Sequence, residues 1–119
     1  MPPLSGYPTS FGNRRASVFT ITGPASYTQY TAPTTGGQDV QVGPPSGVQS
    51  VDWISPSAIS SDGLHRADVV QVEASSVNGV SVANTQVILK WYVVATGSEV
   101  ANAVDLSTTT VTFFILGPK

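Results

Sequence analysis

The stretch TQVILKWYVVA at 85–95 restricts the fold more than any other part of this sequence. Read with the two-residue period of an extended strand, Val87, Leu89, Trp91 and Val93 share one face, and Ile88, Lys90, Tyr92 and Val94 share the other. A strand with two largely apolar faces is either central and covered on both sides, or packs one face on the core and offers the other to a partner. Gly97 ends it.

Shorter runs repeat this pattern between turn-forming residues. Ala16–Thr22, Gln38–Val42, Val48–Ile54, Ala67–Ser75 and Thr108–Leu116 read as strands, bounded by Gly, Pro, Asn and Ser clusters. Within 48–54, Gln49, Val51 and Trp53 fall on one face, with Val48, Ser50, Asp52 and Ile54 opposite. Within 67–75, Val70, Val72 and Ala74 are expected to face the core. Within 108–116, Val111, Phe113 and Ile115 oppose Thr110, Thr112, Phe114 and Leu116. Asn78-Gly79, with Val77 before it and Val80 and Val82 after, predicts a hairpin, because both turn residues accept the positive φ of a type I′ turn. The segment around Tyr27 and Tyr30 reads as a short strand followed by a loop at Pro33–Gly37, and EVANAVDL at 99–106 as a helical turn or an irregular connection. Seven or eight strands with no firm helix define an all-β fold: an antiparallel β-sandwich or small jelly-roll-like barrel. One β domain is expected over 15–119, preceded by an extended N-terminal arm over 1–14.

A chain of 119 residues is long enough to bury one core without metals or disulfides, and it contains no cysteine. Only 10% of its residues are charged, against about 25% in an ordinary domain. A surface of Ser, Thr, Gln and Asn repels its neighbours weakly and tolerates close packing in an assembly. The net charge of −2, with Arg14-Arg15 as the one adjacent basic pair, argues against nucleic acid as a partner. No apolar run approaches the ~20 residues of a membrane span or forms a signal sequence, so neither a membrane nor export is expected.

In residues 1–13, Pro2, Pro3 and Pro8 disfavour a helix, while Leu4, Tyr7 and Phe11 are spaced between them. Two readings stay open: a frayed terminus, or an arm that docks those apolar residues on a neighbouring chain. Tyr27 and Tyr30, in Thr- and Pro-rich extended sequence, join Leu4, Tyr7 and Phe11 as expected partner contacts, since tyrosine suits half-wet interfaces.

The inventory for catalysis is thin. His65 is the only histidine, and a Ser-His-Asp arrangement would need it to act on one of many serines, oriented by Asp62, Asp68 or another carboxylate. The seven carboxylates are scattered through separate strands and turns, with no calcium-loop or phosphate-loop pattern. No cofactor, no metal and no enzymatic activity are expected. Trp91, in phase with Val87, Leu89 and Val93, reads as core; Trp53 reads as a rim residue, open to a sugar-stacking role.

VILKWYVVATGSEVANAVDLSTTTVTFFILGPK at 87–119 resembles the endings of short virion-associated proteins of tailed bacteriophages. FGNRR at 11–15 and TTGG at 34–37 are similar to early segments of the same proteins. Some of these proteins are similar to capsid decoration, or cement, proteins. The resemblance implies a β domain bound to the outer capsid surface, made in a bacterial cytoplasm, with the major capsid protein as partner. It also implies a homo-oligomer, a trimer by preference, and an extended segment reaching over neighbouring subunits. It carries over no active-site residues. The competing expectation is a carbohydrate- or receptor-binding module of a phage tail or fibre.

Overall fold

The alternating runs pair into two antiparallel sheets. A computed structural model describes residues 14–33 and 35–119. The expected arm residues Leu4, Tyr7 and Phe11 lie outside the described residues. The strands are β1 (Arg14–Thr22), β2 (Gln38–Gln41), β3 (Trp53–Ile54), β4 (Ser57–Ile59), β5 (His65–Val77), β6 (Val80–Val93) and β7 (Thr110–Pro118). One sheet runs β1-β7-β3 and the other β2-β6-β5-β4. This is the all-β, sandwich-like fold that the sequence predicts.

Parity decides which side chains meet between the sheets. In β6, Val87, Leu89 and Trp91 are fully buried, and in β7 so are Val111, Phe113 and Ile115. These strands carry the two faces of the core, which Ile21, Ala67, Val100 and Leu106 help to fill. Ile88 points out of the other side of β6 yet is also buried, because the chain's own loop lies over it. Gly37 makes that cover possible. A Cβ there would come within 2.8 Å of Ile88 Cγ2 and 3.4 Å of the Tyr30 ring, and its φ of +72° disfavours any side chain. Of the second face of 85–95, Ile88 is therefore covered from within, while Lys90 and Tyr92 stay half-exposed and Val94 exposed.

Three local expectations are corrected. Bulges lie between Val69 and Gln71 and between Glu73 and Ser75, and each resets the alternation of β5. Ala67 and Val69 thus face the core, while Val70 and Ala74 fall at the irregularities. Val72 sits on the inward side, opposite Val87, but remains half-open at the end of the sandwich. Segment 48–54 is strand only at Trp53–Ile54; elsewhere it bends so that Val48, Val51 and Ile54 point inward together. Val51 and Trp53 consequently do not share a face. The stretch after Tyr27 is not a strand; it is irregular and closes with a bridge between Thr31 and Thr35.

The hairpin forms as expected, with Asn78 at φ 52° and Gly79 at φ 80° joining Val77 to Val80. Nothing surrounds a Cβ built on Gly79, so the conformation alone penalises a side chain there. Gly79→Ala is expected to lower the unfolding free energy by about 1 kcal/mol in a urea titration, with no change in the folded spectrum.

Candidate functional site

β7 is the middle strand of its sheet, and its sequence TVTFFILGP is apolar on both faces over its second half. Once Val111, Phe113 and Ile115 are committed to the core, Phe114 and Leu116 must face outward. β1 adds Ala16 and Val18 to the same surface, pairing Val18 with Phe114 and Ala16 with Leu116. β3 adds Trp53, which lies opposite Leu116. Val18 is 61% exposed, Phe114 61% and Trp53 53%. Together with Ala16 and Leu116 they line a shallow, almost wholly apolar groove of about 420 Å³. Arg14 closes one rim by pairing with Asp52 at 2.9 Å. That ion pair is exposed and contributes little to stability, but it gives the groove a polar border.

Hydrogen-bond phase shows which backbone groups beside the groove turn off the sheet edge. The carbonyls of Thr110, Phe114, Leu116 and Pro118 all turn toward the β3 side, accepting from Ser61, Ser55, Asp52 and Gln49. Alternation then turns the odd residues of β7 toward β1, where Ile115 pairs with Ser17 and Phe113 with Phe19. On β1 the even residues face away from β7. Their N–H and C=O groups point off the sheet edge, as the Gln38 Nε2 bond to the Thr22 carbonyl confirms. Among the described residues no loop hydrogen-bonds to the backbone of Ala16, Val18 or Thr20.

A second concavity, of about 270 Å³, flanks β7 where β3 is too short to cover it. Ser55, Ser57, Ser61, Thr110 and Thr112 line it with hydroxyls and Ala58 and Ile59 with apolar groups, and Phe114 stands between it and the apolar groove.

The tyrosines expected at the surface separate. Tyr27 is buried, 1% exposed, with its hydroxyl donating to Glu99 Oε2 at 2.8 Å and accepting from the Trp91 N–H at 3.1 Å. It is a core residue here and offers no surface to a partner. Tyr30 remains half-exposed, its hydroxyl on the Pro33 carbonyl and its ring 6.0 Å from Lys90 Nζ. Lys90 and Arg66 also flank the Tyr92 ring, at 5.4 and 4.5 Å. This polar, aromatic cluster lies on the other sheet, away from Phe114 and Trp53. Trp91 is buried as expected, and Trp53 is the exposed tryptophan.

Ser60, Asp62 and His65 do come together, but as a turn. Ser60 Oγ donates to Asp62 Oδ1 and accepts the backbone N–H of His65, and the Leu64 N–H also reaches Asp62 Oδ1. These bonds hold the Asp62 carboxyl below the usual carboxylate range, the serine hydroxyl foremost. The serine proton faces the carboxylate instead of the imidazole, an arrangement that links β4 to β5. Among the described residues no group of three His, Asp or Glu is placed to hold a metal, and no helix is long and apolar enough to cross a membrane.

Val18 and Phe114 escape a search for functional residues in the sequence, because each sits in a run that also supplies the core. The signal available is parity: Phe113 and Phe114 are adjacent in an extended strand, so one of them must face out.

Fold and site together define a β-sandwich-like protein with an exposed apolar groove on one sheet. Compared with protein-family models, curated proteins and solved structures, the chain finds no match.

Proposed function

We propose that this chain is a non-catalytic structural protein that docks through the outer face of its β1-β7-β3 sheet onto a protein surface. The exposed row of Val18, Phe114 and Trp53 carries the reading. Scattered exposed apolar residues are ordinary, but a contiguous groove with an aromatic at its centre and a polar rim has the composition of an interface core. On the resemblance of residues 87–119, the surface is the outer capsid of a tailed bacteriophage and the partner its major capsid protein. Low charge supports close seating on such a lattice, and repetition over many copies multiplies a modest gain per copy. A homo-oligomer belongs to the same reading.

Mass spectrometry of purified particles is expected to find the chain, and the wild-type protein to rebind stripped particles. Trp53→Ala and Phe114→Ser leave the core untouched and are expected to weaken rebinding at least tenfold, about 1.4 kcal/mol or more each. Particles without the chain would refute the capsid assignment. Folded variants that rebind like wild type would refute the surface.

A second reading has its own observation, the hydroxyl-lined notch beside Phe114. It suits a carbohydrate- or receptor-binding module, with Phe114 or Trp53 as a stacking platform. A glycan array with no signal would refute it, and binding retained after both aromatic substitutions would refute the stacking platform.

A further inference from the structure

The apolar row on the outer face stops abruptly at Val18, because β1 is the last strand of its sheet. Natural sheets protect such an edge with proline, lysine, a bulge or a covering loop. β1, RRASVFTIT, pairs with β7 in unbroken register and contains none of the first three. Its two arginines lie together at one end, and the loop at Ser46-Gly47 bonds to the side chains of Arg15 and Ser17 but, among the described residues, not to the backbone of Ala16, Val18 or Thr20. The hydrogen-bond phase of β7 turns the N–H and C=O groups of Ala16, Val18 and Thr20 off that edge, and among the described residues none of them has a partner.

We propose that this edge pairs with the same edge of a second copy, antiparallel about a two-fold axis at Val18. Val18 is the midpoint of Arg14–Thr22, which makes the strand self-complementary. Val18 then faces Val18 of the partner subunit, and Ala16 faces Thr20 of the partner subunit, each pair exchanging N–H and C=O bonds. Phase matters: only the even residues turn their backbone groups off the edge, and an axis at Val18 opposes even residues with even residues.

Charge favours the same register. The arginine pair of each copy comes opposite Ile21 and Thr22 of the partner subunit, about 20–27 Å along the strand from the partner's own pair. A chain with a net charge of −2 repels its twin weakly. The pairing also extends the apolar row. Phe114 and Val18 continue into Val18 and Phe114 of the partner subunit, so an exposed valine gains a neighbour and two grooves join on one face. The dimer thus presents a doubled surface on the side assigned to docking. It does not depend on what that surface binds, so capsid binding and dimerisation can fail separately.

The absence of cysteine makes the test clean. In an antiparallel hydrogen-bonded pair the Cα atoms are about 5.5 Å apart, within disulfide range. Val18→Cys in the full chain is expected to cross-link to a dimer under mild oxidation. Thr20→Cys is not, because the two Thr20 positions lie about 14 Å apart along the strands. A mixture of Ala16→Cys and Thr20→Cys chains is expected to cross-link as a heterodimer. Sedimentation of the wild type is expected to show a concentration-dependent dimer, and Val18→Lys a monomer with an unchanged circular dichroism spectrum. Equal cross-linking at positions 18 and 20, or a monomeric or trimeric mass with no cross-link at 18, would overturn the proposal. So would exchange protection of the Ala16, Val18 and Thr20 amides that does not vary with protein concentration, since that would place the chain's own residues on the edge.

Discussion

Trp91→Ala is expected to lower the unfolding free energy by about 3–5 kcal/mol, the largest loss expected of any single side chain described here. A domain of ordinary stability has about 5–15 kcal/mol in total, so the variant should unfold at low urea or be partly unfolded without it. Trp91 is fully buried in the middle of the core, across from Ala67, the small residue that makes room for it on β5. Its indole N–H donates to Gln38 Oε1 at 2.9 Å, so the ring also ties β6 to the start of β2. Truncation removes the contacts and strands the glutamine oxygen, while the sheets on either side are held by their own ladders and cannot collapse into the space. Trp91→Phe keeps most of the volume and is expected to cost less than half as much. A loss below about 1 kcal/mol for Trp91→Ala would mean that the core repacks, contrary to the burial of its neighbours.

The same residue marks how far the sequence could be read. Val87, Leu89 and Trp91 alternate without interruption, and strict period two is the strongest signal a strand can give. The hairpin at Asn78-Gly79 was legible for a similar reason, since backbone conformation there is fixed by the two residues themselves. What failed was everything fixed at long range. The bulges of β5 add a residue without any local marker, so Val70 and Ala74 look like core in sequence and are not. Val48, Val51 and Ile54 point inward with a spacing of three that no regular strand produces. Tyr27 was misplaced because its surroundings are Thr, Ser and Gln. Those residues are polar because segment 24–30 is held by hydrogen bonds to segment 99–104, including Tyr27 N–H to the Val104 carbonyl and Ala103 N–H to the Tyr27 carbonyl. Neither coil segment has a periodicity of its own.

The docking face follows the same division. Parity in TVTFFILGP requires an outward phenylalanine, so the existence of an exposed aromatic on the last strand was readable. That Val18 and Trp53 stand beside it was not, because they pair with Phe114 and Leu116 across 96 and 63 residues of sequence. Contacts of that sequence separation depend on the whole topology.

Tyr27→Phe removes one oxygen atom and is expected to lower stability by about 2–4 kcal/mol, although the ring still fills its space. The hydroxyl stands just before β2 begins: Gln38, its first residue, pairs with Leu89, so Trp91 N–H, two residues further along β6, has no strand partner and uses the phenol instead. The phenol proton goes to Glu99 Oε2, which also accepts the Tyr30 N–H at 2.7 Å. Without the oxygen a buried amide is left unpaired and the carboxylate loses a donor, each a cost of about 1–3 kcal/mol. The pH dependence separates this from simple loss of packing. Burial, aided by the Glu99 carboxylate, pushes the Tyr27 phenol above the usual tyrosine range, against the opposing effect of the Trp91 N–H. The unfolded chain therefore releases this proton near pH 10 while the folded chain keeps it. The contribution is intact below pH 10 and declines above it, by at most about 1.4 kcal/mol per pH unit for one proton. Urea titrations between pH 8 and 11 are expected to show wild type losing stability more steeply than Tyr27→Phe above pH 10, so that the two curves converge. Parallel curves across that range would mean that the phenol is not held in its protonated form by the fold.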